Sequence, residues 1–444
     1  MQLNTFQNKR GKLKVAANQR HLAFADDTPF FYLGDTAWEL FHRLNLEEAK
    51  HYLGNRAAKG FTVIQAVVLA ELGGLDVPNA NGDLPLKDRD PGQPNEAYFQ
   101  HVDDIVAYAE NLGMFIGMLP TWGAYWKKDG RDSSIFTPEN AFSYGRFLGE
   151  RYRDSAIIWI LGGDQDIENE EEAAIIEAMA RGLKEGDGGT NLMTFHPRGT
   201  GRSADKLHHA SWLDFNMCQS SHGARDHDNG LFIEQDYALE PVKPALDGEP
   251  RYETIPVGFY NKGYAQNERF DDYDVRQAAY WAVMAGACGH TYGHNCVWQM
   301  FSAKHQPAIW ANIPWYASLD HPGAFQMGLL RRLFESRPFQ DLQPANHLLL
   351  DAPRHGAAKV KAMLAKTGDF AFIYSARGES FTVDKSVFSA KRVKAIWFDP
   401  RYGCTYFFHT GSTVALQTFS PPSSGRGNDW VLILEDEQAN YPLL

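Results

Sequence analysis

Two acidic residues stand directly after apolar runs that have the composition of buried β-strands. Asp164 closes the stretch AIIWILGGD (156–164), and Glu249 lies in KPALDGEP (243–250). Acids are rarely fully buried unless paired, so both strand ends are expected to meet water or a ligand. Cleavage of a glycosidic bond needs two such groups: one protonates the leaving oxygen, and the other attacks or activates water. A helix N-cap role for Asp164 and a salt bridge from Glu249 to Arg251 are the alternatives.

The other apolar runs place these acids in an alternating pattern of strands and helices. Helical periodicity fills the stretches between runs, as in 45–60, 96–113 and 275–289. Eight strands that alternate with helices predict an α/β fold, a parallel sheet closed as a (β/α)8 TIM barrel. A doubly wound sheet is the competing fold, but GDTAW after the first strand is not a glycine-rich phosphate loop. The predicted strands are 30–38, 61–69, 114–122, 156–164, 192–199, 215–222, 243–250 and 289–295.

The pattern of the sequence changes after residue 338. From there to the end, short strand-like runs such as FAFIYSA and WVLILED are separated by turn residues, and helical periodicity is nearly absent. This pattern is typical of an antiparallel β-sandwich. We therefore predict a barrel catalytic domain over 1–338 and a small sandwich domain over 339–444.

A ring of polar and aromatic residues is expected around one mouth of the barrel. In such barrels the active site lies at the C-terminal ends of the strands, and every predicted strand carries a candidate there. Acids, amides and histidines could hydrogen-bond sugar hydroxyls, while tryptophans could form apolar walls or belong to the core. For the His290/His294 pair, hydrogen bonding is favoured over metal ligation. The candidate substrate-binding residues are Asp35, Trp38, Gln65, Trp122, His196, Gln219, His222, His294 and Trp298.

Charge and composition exclude several classes of protein. The net charge of −12 argues against a nucleic-acid surface, which needs a basic footprint. No apolar run approaches the roughly 18–20 residues of a membrane helix. The basic start lacks an apolar segment, so the sequence as given predicts a cytoplasmic protein, or a periplasmic or secreted one if a leader was removed. The 4 cysteines lack CxxC spacing, which argues against a zinc site or disulfide framework.

Several motifs together resemble the apiosidase-like glycoside hydrolases, glycoside hydrolase family 140 and its relatives. They are GDTAW, ILGGD, TFHPRG, QSSH, GEPRYE and GHTYGHNCVW. The C-terminal IWFDPRYG and DWVLILED resemble the collagen-binding-like sandwich domain that follows the barrel in that family. The resemblance implies a retaining hydrolase with its acid/base after strand four and its nucleophile after strand seven. Those roles map onto Asp164 and Glu249.

The end of strand four departs from the wider clan of retaining barrels. Most members carry Asn-Glu there, whereas this chain has Gly163-Asp164, as the apiosidase-like group does. Since Asp is one methylene shorter than Glu, we interpret the two glycines as room for a sugar to lie close to the main chain. Asp166 would lie on the same face of an extended strand as Asp164, but about 6–7 Å further along the chain. Asp247 precedes Glu249 by two residues, so it is expected about 6–7 Å deeper, in the packed interior, where an ion would be costly.

The function predicted from the sequence is that of a retaining, exo-acting glycosidase that needs neither a metal nor an organic cofactor. It would release a terminal sugar, with apiose as a candidate, from pectin side chains or plant glycosides. For retention, the two carboxyl groups should lie about 5–5.5 Å apart. Three alternatives stay open: a glycosidase for another pentose or deoxysugar, a metal-dependent barrel hydrolase, and a non-catalytic carbohydrate- or matrix-binding protein. The sequence leaves the linkage and the oligomeric state unknown.

Overall fold

The computed structural model describes residues 11–442 except 129, 131–132, 261–262, 266 and 414–415. Within this part, eight buried strands alternate with helices. The apolar runs form the strands because a parallel sheet is covered on both faces. The strands are β1 Tyr32–Thr36, β2 Val63–Leu69, β3 Phe115–Thr121, β4 Ile157–Gly162, β5 Met193–His196, β6 Asn216–Gln219, β7 Ala245–Asp247 and β8 Gly289–Tyr292. The helices that follow them are α1 Leu46–Ala58, α2 Glu96–Asn111, α3 Pro138–Arg151, α4 Glu170–Asp187, α5 Ala204–Leu207, α6 Gly230–Tyr237, α7 Asp272–Met284 and α8 Pro322–Glu335.

The strands close into a barrel through two hydrogen-bonded ladders and two seams. One ladder has the order β8-β1-β2-β3-β4-β5, and the other joins β7 to β6 and then to the short strand Gly201–Arg202. Main-chain hydrogen bonds cross both seams: Asp214 N donates to Met193 O at 2.8 Å, and Cys288 N donates to Ala245 O at 2.9 Å. The predicted (β/α)8 barrel is confirmed.

Local sequence sets the start of several helices. Asn45 and Glu48 form a capping box at the start of α1, with both side-chain hydrogen bonds at 3.0 Å. Thr137 caps α3, and Pro138 occupies its first turn, where a missing N–H costs nothing. No helix in the described ranges combines the length and the apolar character that a bilayer crossing requires.

Smaller elements complete the barrel domain. An antiparallel N-terminal sheet of Leu13–Val15, Leu22–Phe24 and Pro29–Phe30 packs Phe24 and Phe30 against Phe115 at the start of β3. It therefore covers the barrel end opposite the predicted mouth. Further short helices are Leu40–Arg43, Asn295–Trp298 and Trp315–Ser318, with 3-10 turns at Lys87–Arg89, Gly123–Tyr125 and Val257–Tyr260. Three more 3-10 turns, Phe339–Asp341, Asn346–Leu348 and Lys385–Val387, lie in the range predicted for the sandwich.

The C-terminal part is an antiparallel β-sandwich, as predicted. Six strands form one sheet and two form a second, Phe381–Asp384 pairing with Leu416–Phe419. A domain boundary between residues 338 and 339 stays a prediction. In spatial order, the six strands are Leu342–Pro344, Val360–Ala365, Phe370–Ser375, Trp430–Asp436, Arg392–Asp399 and Cys404–Ser412.

The sandwich packs directly on the barrel. Apolar residues of α7, α8 and the larger sheet share one buried core. Within this contact, Arg276 of α7 donates to Asp429 at 2.6 Å and 2.8 Å, and both side chains are buried. The sandwich thereby supports α7, the helix between the strand that carries Glu249 and β8.

Candidate active site

A cavity of about 250 Å³ lies at the C-terminal ends of the barrel strands. Three carboxylic acids line it: Glu71 beyond β2, Asp164 beyond β4 and Glu249 beyond β7. The lining also contains aromatic side chains from several strand ends. Three acids in a space of this size repel one another when ionised, so it is unfavourable for all three to be ionised at once.

The two glycines before Asp164 are required by the backbone. Gly162 has a φ of 93° and Gly163 of 88°, a left-handed region that side chains rarely adopt. A Cβ on Gly162 would lie 2.3 Å from His196 O, and one on Gly163 would lie 2.9 Å from Gly123 N. Protein fills that space, so the interpretation that the glycines leave room for a sugar is wrong. They let the chain turn sharply against its neighbours after β4.

The turn that carries Asp164 is fixed from both sides. Trp126 Nε1 donates to Gly162 O at 2.7 Å, and Asp164 N donates to His196 Nδ1 at 3.2 Å. Asp164 itself has a φ of 57°, which costs a non-glycine residue about 1–2 kcal/mol. Such a conformation persists where the surroundings over-determine it, and it is common at functional sites. The turn therefore sets the direction of the Asp164 carboxyl group.

Asp164 is an acid that holds its proton. Burial, and then the charge of Glu249, raises its pKa to about 6, against the opposing effects of His196, His222 and the Gln219 amide. The Asp164 side chain is therefore largely protonated at mildly acidic pH. A carboxyl group in this state can donate a proton to a leaving oxygen.

Glu249 is the opposite case. Its Oε1 lies 3.1 Å from His222 Nε2, and its Oε2 lies 3.1 Å from His196 Nε2. Because His196 Nδ1 accepts from the main chain of Asp164, the ring proton lies on Nε2, the nitrogen that is 3.1 Å from Glu249. Burial alone would raise the Glu249 pKa, but the contacts with the two histidines outweigh it and lower the pKa well below its usual value. Glu249 is therefore a carboxylate.

The main chain around Glu249 is anchored to neighbouring strands. Ser221 N donates to Glu249 O at 3.0 Å, and Gln65 Nε2 donates to Gly248 O at 3.0 Å. Tyr252 packs its ring 4.5 Å from that of His222, and its hydroxyl lies beside Glu249. These contacts hold the carboxylate at one place in the cavity.

Most of the predicted site residues meet at this cavity. Trp38 lies 5.6 Å from Trp122 and 5.4 Å from His196, measured between ring centroids, so these rings form one wall behind the acids. His196 reaches the site through its contacts with both acids. The predicted residues that line the cavity are Trp38, Trp122, Asp164, Gln219, His222, Glu249 and Trp298.

Four predicted substrate-binding residues lie outside the lining: His196, which still contacts Glu249, and three residues whose partners are protein groups. Asp35 accepts hydrogen bonds from Tyr52 Oη at 2.6 Å and Arg56 Nε at 2.5 Å, and it is fully buried. Gln65 is buried between Tyr32 and the Gly248 carbonyl described above. His294 caps the helix Asn295–Trp298 and contacts His321 at 3.0 Å. Protein partners from other elements occupy the polar atoms that sequence alone would assign to a ligand.

The structure also shows where Asp166 and Asp247, the alternatives to Asp164 and Glu249, lie. Asp166 is exposed, and its Oδ1 accepts from Arg198 N at 3.1 Å. Asp247 is buried, and accepts hydrogen bonds from Ser220 Oγ at 2.7 Å and Asn229 Nδ2 at 2.9 Å. Neither residue lines the cavity.

Glu71 is a site residue that the sequence reasoning missed. Burial raises its pKa well above the usual value, followed by the charges of Glu39, Asp164 and Glu249. The available signal was an acid directly after the run VIQAVVLA, but the residue lies two positions beyond the end of the predicted strand 61–69. Tyr252 likewise lies two positions beyond the end of the predicted strand 243–250.

Asp35→Ala is expected to lower the free energy of unfolding by about 3–5 kcal/mol, because it leaves the buried Arg56 guanidinium without its carboxylate. KM should stay unchanged wherever the variant is folded, since Asp35 does not line the cavity. Denaturant unfolding and steady-state kinetics measure the two effects. Asp104→Ala on the exposed face of α2 is the control, with an expected change within about 0.5 kcal/mol. A raised KM at unchanged stability would contradict this.

Among the residues that the structure describes, no group of three or more His, Cys, Asp or Glu side chains is arranged to hold a metal ion.

Known proteins resemble this chain over nearly its whole length. The family model described as "Apiosidase-like, catalytic domain" matches residues 16–341, and "Putative collagen-binding domain of a collagenase" matches 343–435. A solved structure titled "Glycoside hydrolase" is 33% identical, with 97% of this chain and 98% of that chain covered and a TM-score of 0.89. A glycoside hydrolase family 5 structure from Bacteroides vulgatus ATCC 8482 is 30% identical, with 98% and 95% covered and a TM-score of 0.90.

A more distant structure shares the fold alone. It is a family 5 mannosidase from Rhizomucor miehei, 13% identical, with 73% of this chain and 99% of that chain covered and a TM-score of 0.51. Among functionally curated proteins, none matches the chain.

Proposed function

Because the chain belongs to the apiosidase-like glycoside hydrolases, we propose that it is a retaining, exo-acting glycosidase with Asp164 as acid/base and Glu249 as nucleophile. The observation that carries this proposal is the opposite shift of two acids in one cavity: the pKa of Asp164 is raised to about 6, and that of Glu249 is lowered. A pair of carboxyl groups whose environments drive their pKa values apart is the arrangement that acid and nucleophile require.

The reaction proceeds in two displacements. Glu249 attacks the anomeric carbon and forms a glycosyl ester, while Asp164 gives its proton to the departing oxygen. Asp164, now ionised, then takes a proton from water, and the resulting attack on the anomeric carbon releases Glu249 and the sugar with its original configuration. The histidines beside Glu249 stabilise its charge in the free enzyme and orient it.

Exo action is supported by the size of the cavity. Its volume of about 250 Å³ lies below the roughly 300–1,000 Å³ of pockets that hold drug-sized ligands, so it has room for one sugar ring. Trp38, Trp122 and Trp298 supply the apolar surface for the C–H faces of that ring. We propose apiose as the released sugar, on the family relationship, with another pentose or a deoxysugar as the alternative.

The pH dependence follows from the two acids. We expect kcat/KM to fall as the pH rises through about 6, because Asp164 must carry a proton when the leaving oxygen departs. Glu249 stays ionised well into the acidic range because its pKa is lowered, so the acidic limb should lie below the usual range for a glutamate. A pH profile of kcat/KM on the wild-type protein measures both limbs. Activity that keeps rising through neutral pH would contradict the role of Asp164.

A substrate screen tests the proposed function. Wild-type protein is incubated with pectin-derived oligosaccharides, plant glycosides and aryl glycosides, and the products are separated and identified. We expect a single monosaccharide from the non-reducing end. Release of internal oligosaccharides would contradict exo action. Binding of oligosaccharides with no turnover of any substrate would contradict the whole proposal and favour the non-catalytic alternative.

A further inference from the structure

We propose that Tyr260 and Trp310 form a binding site for the leaving group, and that this group begins with a sugar ring that lays an apolar C–H face on the two aromatic rings. This inference rests on the proposed function and extends it from the sugar that is released to the group that departs. We call the pair the aromatic rim.

The aromatic rim directly adjoins the cavity wall. Phe259 and Ile309 line the cavity, and the rim residues are the next residue along the chain in each case. The rings of Tyr260 and Trp310 lie 5.1 Å apart between centroids, at an interplanar angle of 57°. Two separate loops, one after β7 and one after β8, thus bring a pair of contacting rings to the border of the cavity.

The exposure of Trp310 sets it apart from the tryptophans inside the site. Trp38, Trp122 and Trp298 are 2%, 6% and 4% exposed, whereas Trp310 is 56% exposed. An indole face left in water is unfavourable, and its burial under a ligand recovers that free energy. The rim therefore offers uncovered apolar area next to a cavity whose own aromatic rings are already packed.

The main chain of the rim is held in place. Arg269 Nη2 donates to Trp310 O at 2.8 Å, while its Nη1 donates to Thr254 O at 2.6 Å. Asn295 Nδ2 donates to Ile309 O at 2.9 Å. These bonds tie the loop that carries Trp310 to the loop after β7 and to the short helix after β8. A surface fixed before binding loses little conformational entropy when a ligand arrives.

The backbone of both rim loops is also strained. Tyr260 has a φ of 61°, Ile309 of 44° and Trp310 of 52°, all in the left-handed region. For a β-branched residue such as Ile309 this conformation is unusual, and such strain persists where the surroundings enforce it. The hydrogen bonds to the carbonyls of Ile309 and Trp310 provide that enforcement.

The size of the cavity indicates which group would bind to the aromatic rim. The cavity of about 250 Å³ has room for one sugar ring, so the remainder of an oligosaccharide lies outside it, beginning at the leaving oxygen. A second sugar ring has a C–H face that suits an aromatic surface, whereas a small leaving group such as fluoride does not reach the rim. The rim should therefore affect only the step in which a large leaving group departs.

The test compares two substrates that deliver the same sugar. One is the pectic oligosaccharide from which wild-type protein releases its monosaccharide, and the other is the glycosyl fluoride of that monosaccharide. We expect Trp310→Ala to lower kcat/KM for the oligosaccharide by about tenfold and to leave kcat/KM for the fluoride within about twofold of wild type. Retained activity on the fluoride also reports that the variant is folded.

Tyr316→Ala is the matched control. Tyr316 lies on the nearby helix Trp315–Ser318 and is 57% exposed, but it does not line or adjoin the cavity wall. Its replacement should change neither rate. Equal losses on both substrates in Trp310→Ala, or no loss on either, would overturn the proposal. Failure of wild-type protein to hydrolyse any glycoside is a separate result, which contradicts the proposed function before the rim variants are compared.

Discussion

Glu249→Gln will lower kcat by about 10⁴-fold or more, because an amide cannot form the glycosyl ester and the first displacement has no other nucleophile. The substitution keeps the shape of the side chain, and the amide oxygen can still accept from His222, so the barrel should remain folded. Steady-state kinetics with the best substrate measures the loss, and thermal unfolding with circular dichroism checks the fold. A Glu249→Gln protein with more than a few per cent of wild-type kcat would contradict the assignment.

Glu253→Gln is the matched control for this variant. Glu253 lies four residues further on, is buried, and contacts Tyr292 Oη at 2.5 Å without lining the cavity. Burial raises its pKa to about 7, so the residue is largely neutral in mildly acidic solution and an amide is a close replacement. We expect activity near the wild-type level. A loss as large as that of Glu249→Gln would mean that disturbance of this loop, and not removal of the nucleophile, stops turnover.

Asp164→Asn is expected to lower kcat/KM by about 10²–10⁴-fold for substrates whose leaving oxygen must be protonated. Fluoride and dinitrophenolate depart without a proton. For a glycosyl fluoride or a dinitrophenyl glycoside, the loss in kcat/KM should therefore be much smaller. Asparagine cannot deprotonate water, so breakdown of the glycosyl ester should become rate-limiting and kcat should fall for these substrates too. The alkaline limb near pH 6 should disappear from the kcat/KM profile. The same fractional loss of kcat/KM for every leaving group would contradict the acid role.

The Glu71→Gln variant tests whether Glu71, the third acid in the cavity, is the proton donor instead of Asp164. Glu71 lies among the same charges and also has a raised pKa, so it is the only other lining residue of the described cavity that could hold a proton in this way. If Asp164 is the acid, Glu71→Gln should change kcat/KM by a similar factor for all leaving groups. A dependence on the leaving group in Glu71→Gln, and none in Asp164→Asn, would move the acid role to Glu71.

The sequence allowed the barrel, and the positions of Asp164 and Glu249 at its mouth, to be predicted because both depend on regular patterns. Apolar runs of strand length mark where each strand ends, and an acid at such an end is easily recognised in ILGGD and in LDGEP. The choice against Asp166 and Asp247 depended on position along the strand, and the structure places one in the loop and the other in the packed interior.

The failures concern contacts between elements. Asp35 has the residue type of a ligand-binding group, but Tyr52 and Arg56 reach it from α1, which a strand pattern does not show. The two glycines indicated conformational freedom without indicating that His196 and Gly123 fill the space beside them. Glu71 lies in an irregular segment, where no periodicity sets the direction of a side chain.

The most direct test of the central claim is to identify the residue that carries the glycosyl group during turnover. The wild-type protein is inactivated with an activated 2-deoxy-2-fluoro derivative of the sugar that it releases, digested, and analysed by peptide mass spectrometry. A retaining mechanism predicts a single added glycosyl group, bound to Glu249. Attachment to Glu71 or Asp164, or release of the opposite anomer from a natural substrate with no labelled peptide, would contradict it.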